Sequence, residues 1–517
     1  MNKKIKVVLL FISIIAMIAV LYLFNATINS DKEIVGVSVY KQADIESIIA
    51  GKREATDIYH FPLKYEGQLL PYDWPTSTLY IPQNLNKKNY LGTIIPENGT
   101  LYLSENVYFP DNNTIINIHD LPSKKECILR NARFEMYLVD EDYYVKYNVI
   151  FTGMPVISLT YTAYDDETEQ WAGTMELIDP YHSESSFVSE LCFFHLRGDS
   201  TAICDKKSYA VNLLEKKSLL GLREDDDWAL VAELGDNGFV HNKLCYDLWN
   251  KISKTNGVSK DVTVNSDYVE VFFDYNYVGL YNICEKVDRK LCDLKDGDYL
   301  YRLDRAHVMD DGSITHDYYL KYPKDATDED YALINQFDMT FYSGQPVDYE
   351  YAKNIVNMNN MIDVYLYSMF TCAEDNWGKN AFYVAPKSDN YKISEIFWDM
   401  NVTFGNNTPL DYIYSTDIYI PHVKSLYYAN PQEMSKLAYR RWVELRDSVI
   451  TKAKIKGQVE EMWQYVNDSG SLSRETREWS EYINPDWKID DMYTYIDSRI
   501  DFLDEYFKNE YEKYNKK

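Results

Sequence analysis

The chain has 517 residues, enough for two or three domains that each bury a core, and 46% hydrophobic with 15% aromatic residues points to a largely globular protein. A formal net charge of −28 excludes nucleic-acid binding as the main role, since that affinity comes largely from Lys and Arg on phosphates. It still admits a nucleotide screened by a divalent cation and favours a basic protein partner, with solubility as the plain alternative. The seven cysteines form no CxxC pair, their odd number forbids a complete disulfide framework, and they read as small core residues.

At the N-terminus Lys3, Lys4 and Lys6 precede an apolar run from Val7 to Phe24, broken by Ser13. At about 1.5 Å per residue the run spans roughly 27 Å, close to the hydrocarbon thickness of a bilayer. The cations lie before it and Asp31 and Glu33 after it, which predicts an anchor over residues 1–28 with the bulk outside the cytoplasm. A cleaved signal peptide is the competing reading, although no A-x-A-like site follows. Residues 29–90, punctuated by Pro62, Gly67, Pro71, Pro75 and Pro82, are expected to be stalk and loop. From about 90 to 190, short β-branched and aromatic runs such as Tyr147–Thr152, Val156–Thr162 and Gly173–Leu177 predict antiparallel sheet. Together these make a β-rich region over 29–150.

Next comes a predicted hairpin, Leu191–Leu196 with Ser208–Leu214, turned around Arg197-Gly198-Asp199-Ser200-Thr201. A strand at Trp228–Ala232 leads into a helix near Asn237–Ile252, and a second hairpin pairs Tyr268–Asp274 with Val278–Cys284. A helix over Ile355–Cys372 is followed by a polar loop, a strand Ala381–Ala385, a turn at Pro386–Asn390 and a strand Lys392–Trp398. Beyond about residue 420 the pattern is amphipathic helix, with long segments near Gln432–Lys454 and Lys488–Lys508.

The sharpest chemical pattern is Asp375-Asn376-Trp377-Gly378-Lys379-Asn380 on the loop after the helix, with Asp399 closing the strand that ends in Phe397-Trp398. Phosphoryl transfer needs a carboxylate at the acceptor hydroxyl and oxygen ligands for a cation bridging the phosphates. Asp, then Asn five residues on, then a second Asp after a hairpin is the order used by protein kinases. Asp and Asn also cap turns everywhere, so it is the order of elements that carries the reading. Lys206 and Lys207 head the strand beyond the Arg197-Gly198 turn, where a lysine can reach phosphates as a point charge and the turn, with Arg197 and Ser200, can lie over them. Strand alternation puts Lys207 with Tyr209 and Val211 and Lys206 with Ser208 and Ala210; which face borders a cleft is open, with Lys207 slightly favoured. Glu285 at the end of the second hairpin reads equally as a ribose ligand or a solvated strand end.

These residues resemble the spore coat protein H (CotH) kinase family over roughly residues 155–510. Leu196-Arg197-Gly198-Asp199-Ser200 and Lys206-Lys207-Ser208-Tyr209 look like its R-G-N-S-S and K-K-S-Y blocks, and Tyr277-Val278-Gly279-Leu280-Tyr281 with Glu285 is similar to its Y-x-G-x-Y-x-x-x-E hairpin. The Asp375–Asn380 block and Trp398-Asp399-Met400-Asn401 to Phe404-Gly405 look like D-N-W-x-x-N and W-D-x-D … F-G. The resemblance implies an α+β, two-lobed atypical protein-kinase-like domain over 151–420 with a helical C-terminal extension over 421–517. It implies ATP, Mg²⁺ or Mn²⁺, and Ser/Thr phosphorylation of a coat or surface protein. Asp375 would be the catalytic acid/base, Asn380 and Asp399 the metal ligands, and Lys207 or Lys206 the phosphate lysine. Asn401 stands where the family usually has a second Asp and His241 where Arg is common. Asn401 is the feature that favours the alternative, a silent pseudokinase scaffold for surface or coat proteins. The expected acceptor is a basic, Ser/Thr-rich protein at the cell surface or spore coat.

Overall fold

The computed structural model describes residues 33–55, 63–182, 187–198, 203–257, 262–309, 314–373, 375–376, 378–406, 410–418, 420–484 and 486–516. The segment expected to anchor the chain, 1–28, and Ser200 lie outside them. Among the described residues no helix is long and apolar enough to cross a membrane.

Residues 33–152 build a mixed sheet in the order Glu33–Ile34, Val37–Tyr40, Thr100–Phe109, Arg133–Val139, Tyr143–Thr152, Thr78–Pro82, Tyr72–Asp73. The stretch expected as stalk and loop thus contributes a helix, Gln42–Ile49, and the wholly buried strand Thr78–Pro82, which runs parallel to Tyr143–Thr152. Its residues Thr78-Leu79-Tyr80-Ile81-Pro82 lack polar alternation because both faces are covered. The antiparallel expectation for 90–190 holds for the pairs among the strands of that stretch, and the parallel pairings join it to strands outside, at Val37–Tyr40, Arg53–Glu54, Thr78–Pro82 and Ser266–Phe273.

At Gly153-Met154-Pro155 the chain leaves this sheet and enters a closed seven-stranded barrel: β1 (Val156–Asp165), β2 (Gln170–Ile178), β3 (Phe187–Arg197), β4 (Ser208–Ser218), β5 (Glu224–Val231), β6 (Ser266–Phe273) and β7 (Asn276–Glu285). The ladder runs β1-β2-β3-β4-β5-β7-β6, and β6 closes on β1 in parallel. Alternate residues fill it: Leu159, Leu177, Phe194, Val211, Trp228, Leu230, Val271 and Tyr281 make one core, as expected for a barrel narrow enough to be packed by side chains. Ala229, Tyr268, Leu280 and Cys284, one residue out of phase, face a second and larger core. That core holds α1 (His241–Ser253) and, further along the chain, the helix Met358–Thr371.

Beyond the barrel a four-stranded sheet is made by β8 (Tyr299–Val308), β9 (Ile314–Tyr322), β10 (Ala381–Ala385) and β11 (Ser394–Phe397), in the order β9-β8-β10-β11. Helices α2 (Ala332–Phe341), α3 (Tyr349–Ile355) and α4 (Met358–Thr371) intervene between β9 and β10. The single helix expected over Ile355–Cys372 is two. Val356 is extended and bridges Ile393, and the Asn357 side chain accepts from the Asn360 N–H at 3.3 Å, starting α4 afresh. Every residue of α4 from Asn360 to Thr371 is buried, so it is the central rod of the helical part.

The tail is helical: α5 (Pro421–Ala429), α6 (Pro431–Ser448), α7 (Lys452–Asp468), α8 (Ser471–Glu478) and α9 (Ile489–Asn515). The long helix read over Gln432–Lys454 breaks before Thr451, whose hydroxyl caps α7 through the Lys454 N–H. Short α8 ties three parts together. Buried Arg474 donates to both Glu270 oxygens at 2.7 and 2.8 Å and to the Thr152 hydroxyl at 2.7 Å, and it also bonds Asn131. Next to it, Glu475 accepts from Lys206 at 2.6 Å and from the Leu280 N–H at 2.7 Å.

Candidate active site

A cavity of about 630 Å³ opens between the β3–β4–β5 wall of the barrel, the β8–β9–β10 sheet and the loop after β11. Its floor is set by α1 and the turn before it. At that turn the Asp236 carboxylate accepts from the His241 N–H at 2.9 Å and from its imidazole at 2.6 Å, so the helix starts at His241 rather than near Asn237. His241 thus serves as a buried helix-start residue. The next residue of the helix, Asn242, reaches across the site. Its amide donates to Glu233 at 2.8 Å and its carbonyl accepts from the Met400 N–H at 2.5 Å, fixing the chain just after Asp399.

The loop after α4 is held from the other side. Cys372 closes the helix in the left-handed conformation, and buried Asn376 donates to the carbonyls of Asn380 at 3.2 Å and Trp398 at 2.8 Å. The Trp398 N–H returns a bond to the Asn380 carbonyl at 3.0 Å. These bonds place the Asp375–Asn380 loop beside the end of β11 and so bring the predicted residues together. Asn380 donates to the Asp375 carboxylate at 3.1 Å, and Lys379 pairs with it at 3.0 Å. Asn380, Asp399 and Asn401 line the cavity, with Asp375 behind Lys379 and Asn380. Asp399, Asn380 and Glu233 all have positive φ, at 58°, 60° and 53°. For Glu233 this is a costly conformation, of the kind that clusters at functional sites.

The electrostatics are those of a site built for charge. Burial raises the pKa of Glu233 to about 8, and the nearby Asp236 and Asp399 push the same way. Asp399 is also raised by burial, opposed by Arg197 and reinforced by Asp375. One Glu233 oxygen, Oε1, is buried without a hydrogen-bond partner. In a chain of net charge −28, this cavity is lined by six cations, Arg197, Lys286, Arg302, Arg305, Lys321 and Lys379, against the carboxylates of Glu233, Asp304 and Asp399. Arg197 lies with its guanidinium 5.3 Å from the centre of the Trp398 ring, next to Asp399.

Three expected nucleotide residues are placed elsewhere. Ser208 and Ala210 line the cavity, so the face that borders it is the one shared with Lys206, not Lys207. Lys207 offers its backbone carbonyl to the Tyr281 hydroxyl at 2.7 Å and is absent from the cavity wall. The Lys206 ammonium is wholly buried away from the cavity and satisfied by Glu475 and the carbonyls of Ala232 and Leu280, at 2.6, 2.8 and 2.6 Å. Three acceptors match its three N–H bonds, leaving none for a phosphate. Glu285, buried rather than solvated, accepts from the Asn265 backbone and amide at 3.0 and 2.7 Å and does not reach the cavity. Sequence reasoning assigned no role to Asn242, Asn376 or the β8–β9 cations. The alternation Tyr301, Leu303 buried with Arg302, Asp304 exposed was the signal for β8.

Among the described residues no group of three or more His, Cys, Asp or Glu stands in metal-ligating arrangement. The donors present are mixed: the Asp399 carboxylate, the amide oxygens of Asn380 and Asn401, and Glu233 with its unpartnered oxygen. Oxygen donors of this kind, with Asp399 pushing up the pKa of Glu233, fit a hard divalent cation.

No curated protein matches the chain. Among solved structures, the proinflammatory kinase CtkA of Helicobacter pylori aligns at 11% identity over 58% of this chain and 94% of that one, with a TM-score of 0.27. The family described as CotH kinase protein matches residues 194–509, more than half of the chain and the whole of the site. The chain belongs to the CotH kinase family.

Proposed function

We propose that the chain is an ATP- and divalent-cation-dependent kinase acting on Ser or Thr of an extracytoplasmic or spore-coat protein, with the barrel and the helical part serving as its two lobes. The observation that carries this reading is the joining of an Asp375–Asn380–Asp399 cluster to a cation-lined cavity in a strongly acidic protein. Polyanion binding is the physical reason to concentrate cations there. Asp399 and Asn380 would hold the cation, with Asn401 and Glu233 on the same wall. A cation bound there would screen the phosphate oxygens. Arg197 sits where it can neutralise the transferred group. Asp375 receives the proton of the acceptor hydroxyl as that oxygen bonds to the γ-phosphorus and the bond to the β–γ bridging oxygen breaks, releasing ADP. The acidic surface favours a Lys- and Arg-rich acceptor, and the apolar run before residue 25 favours a membrane-tethered enzyme facing outward.

The test is incubation of the protein with γ-labelled ATP, Mg²⁺ or Mn²⁺ and a basic Ser-rich protein. Label on Ser or Thr that disappears with EDTA is expected. Nucleotide binding without transfer of label would instead mark a pseudokinase scaffold.

A further inference from the structure

The cavity has a second focus of charge that the proposed chemistry does not use. On β3, His195 and Arg197 both line the cavity wall, about 7 Å apart by strand geometry. Arg197 belongs to the Trp398–Asp399 end. His195 lies instead beside Lys286, just past β7, and Lys286 lies close to Lys321 on β9; all three line the cavity. Three elements thus converge basic side chains on one spot. Lys286 is held by Asp227 of β5 at 2.6 Å. For Lys321, half-buried, no carboxylate among the described residues comes within ion-pair distance. The buried Nδ1 of His195 has no hydrogen-bond partner. The pKa of Lys321 is lowered by its burial and by Lys286, and that of His195 by burial, then Lys286, then Arg197, with Asp227 opposing.

Like charges gathered in a partly desolvated wall, with one ammonium and one imidazole nitrogen unpaired, are costly unless an anion joins them. We infer that His195, Lys286 and Lys321 form a phosphate-binding subsite that holds the non-transferred phosphates of a nucleoside polyphosphate, a role that buried Lys206 and Lys207, which is absent from the cavity wall, do not fill. The inference rests on the phosphotransfer reading of the same cavity and specifies it. The ligand then spans the wall from Lys321 and Lys286, past His195, to Arg197 and the Asp375–Asp399 cluster, so that the terminal phosphate lies at the carboxylate end.

Calorimetric titration of the full chain with pyrophosphate, ADP and adenosine tests this. Lys321→Met is expected to weaken pyrophosphate and ADP binding roughly tenfold, as loss of one charge-assisted contact does, and to leave adenosine binding unchanged. Lys321→Arg keeps the charge and should restore most of the loss, which separates charge from packing. Wild-type affinity for pyrophosphate and ADP in Lys321→Met overturns the subsite, as does an equal loss for adenosine. Failure of the two readings is distinguishable. Labelled-phosphate transfer by a protein whose pyrophosphate affinity ignores Lys321 sinks the subsite alone. Lys321-dependent pyrophosphate binding without transfer sinks the kinase reading alone.

Discussion

Substituting Lys206 separates a structural lysine from a phosphate lysine. Its ammonium pairs with Glu475 at 2.6 Å, and both side chains are almost completely buried. Removing one partner of a buried pair costs about 3–5 kcal/mol because the other charge is left without compensation. Lys206→Met also strips a donor from the carbonyls of Ala232 and Leu280, so the upper end, about 5 kcal/mol, is expected. Glu475→Gln still offers an oxygen to the Leu280 N–H. It leaves a lysine whose pKa burial already lowers, so that it can shed its proton, and about 3 kcal/mol is expected. The double variant holds no buried charge at this spot, and its cost should fall short of the sum by about 2–3 kcal/mol. Urea denaturation followed by tryptophan fluorescence, which includes Trp228 inside the barrel, reads all four proteins. A Lys206→Met protein as stable as wild type but unable to bind nucleotide would refute the argument and return Lys206 to the phosphates. Additive single costs would show that the pair does not act as a pair.

Three further outcomes follow from the site. Asp375→Asn should lower turnover about 10²–10⁴-fold with little change in ATP affinity, because general-base help acts in the transition state; wild-type turnover in a labelled-phosphate assay would make Asp375 a turn residue. Asp399→Ala should abolish the Mg²⁺-dependent part of nucleotide binding while leaving the circular dichroism spectrum intact, and unchanged ATP affinity in Mg²⁺ would remove Asp399 from the cation site. Glu233, with its folded pKa raised from 4.5 to about 8, favours its protonated form in the native state. Its contribution to stability is therefore complete below about pH 4.5 and lost as pH rises toward 8. In EDTA, the Tm of Glu233→Gln should gain on that of wild type between pH 5 and 8, and parallel melting curves across that range would contradict the buried, proton-binding Glu233.

The sequence by itself determined what depends on near neighbours. The strand Ala381–Ala385, the hairpins at β3–β4 and β6–β7, the αβ order that sets Asp375, Asn380 and Asp399 side by side, and the amphipathic tail all follow from alternation, turns and helical spacing over a few residues. Caps shift boundaries, as Asp236, Asn357 and Thr451 do, because one side-chain hydrogen bond decides where a helix restarts. Only the tertiary structure decided which cations face the cavity. Strand alternation offered two faces for Lys206 and Lys207, and the choice fell to Glu475, 269 residues further on, whose carboxylate draws the Lys206 ammonium away from the cavity. The same holds for Glu285, captured by Asn265, and for Lys286 and Lys321, which meet only because β7 and β9 end on one wall. A buried charge must find its counter-charge wherever the fold supplies one, and that partner leaves no trace in the residues beside it.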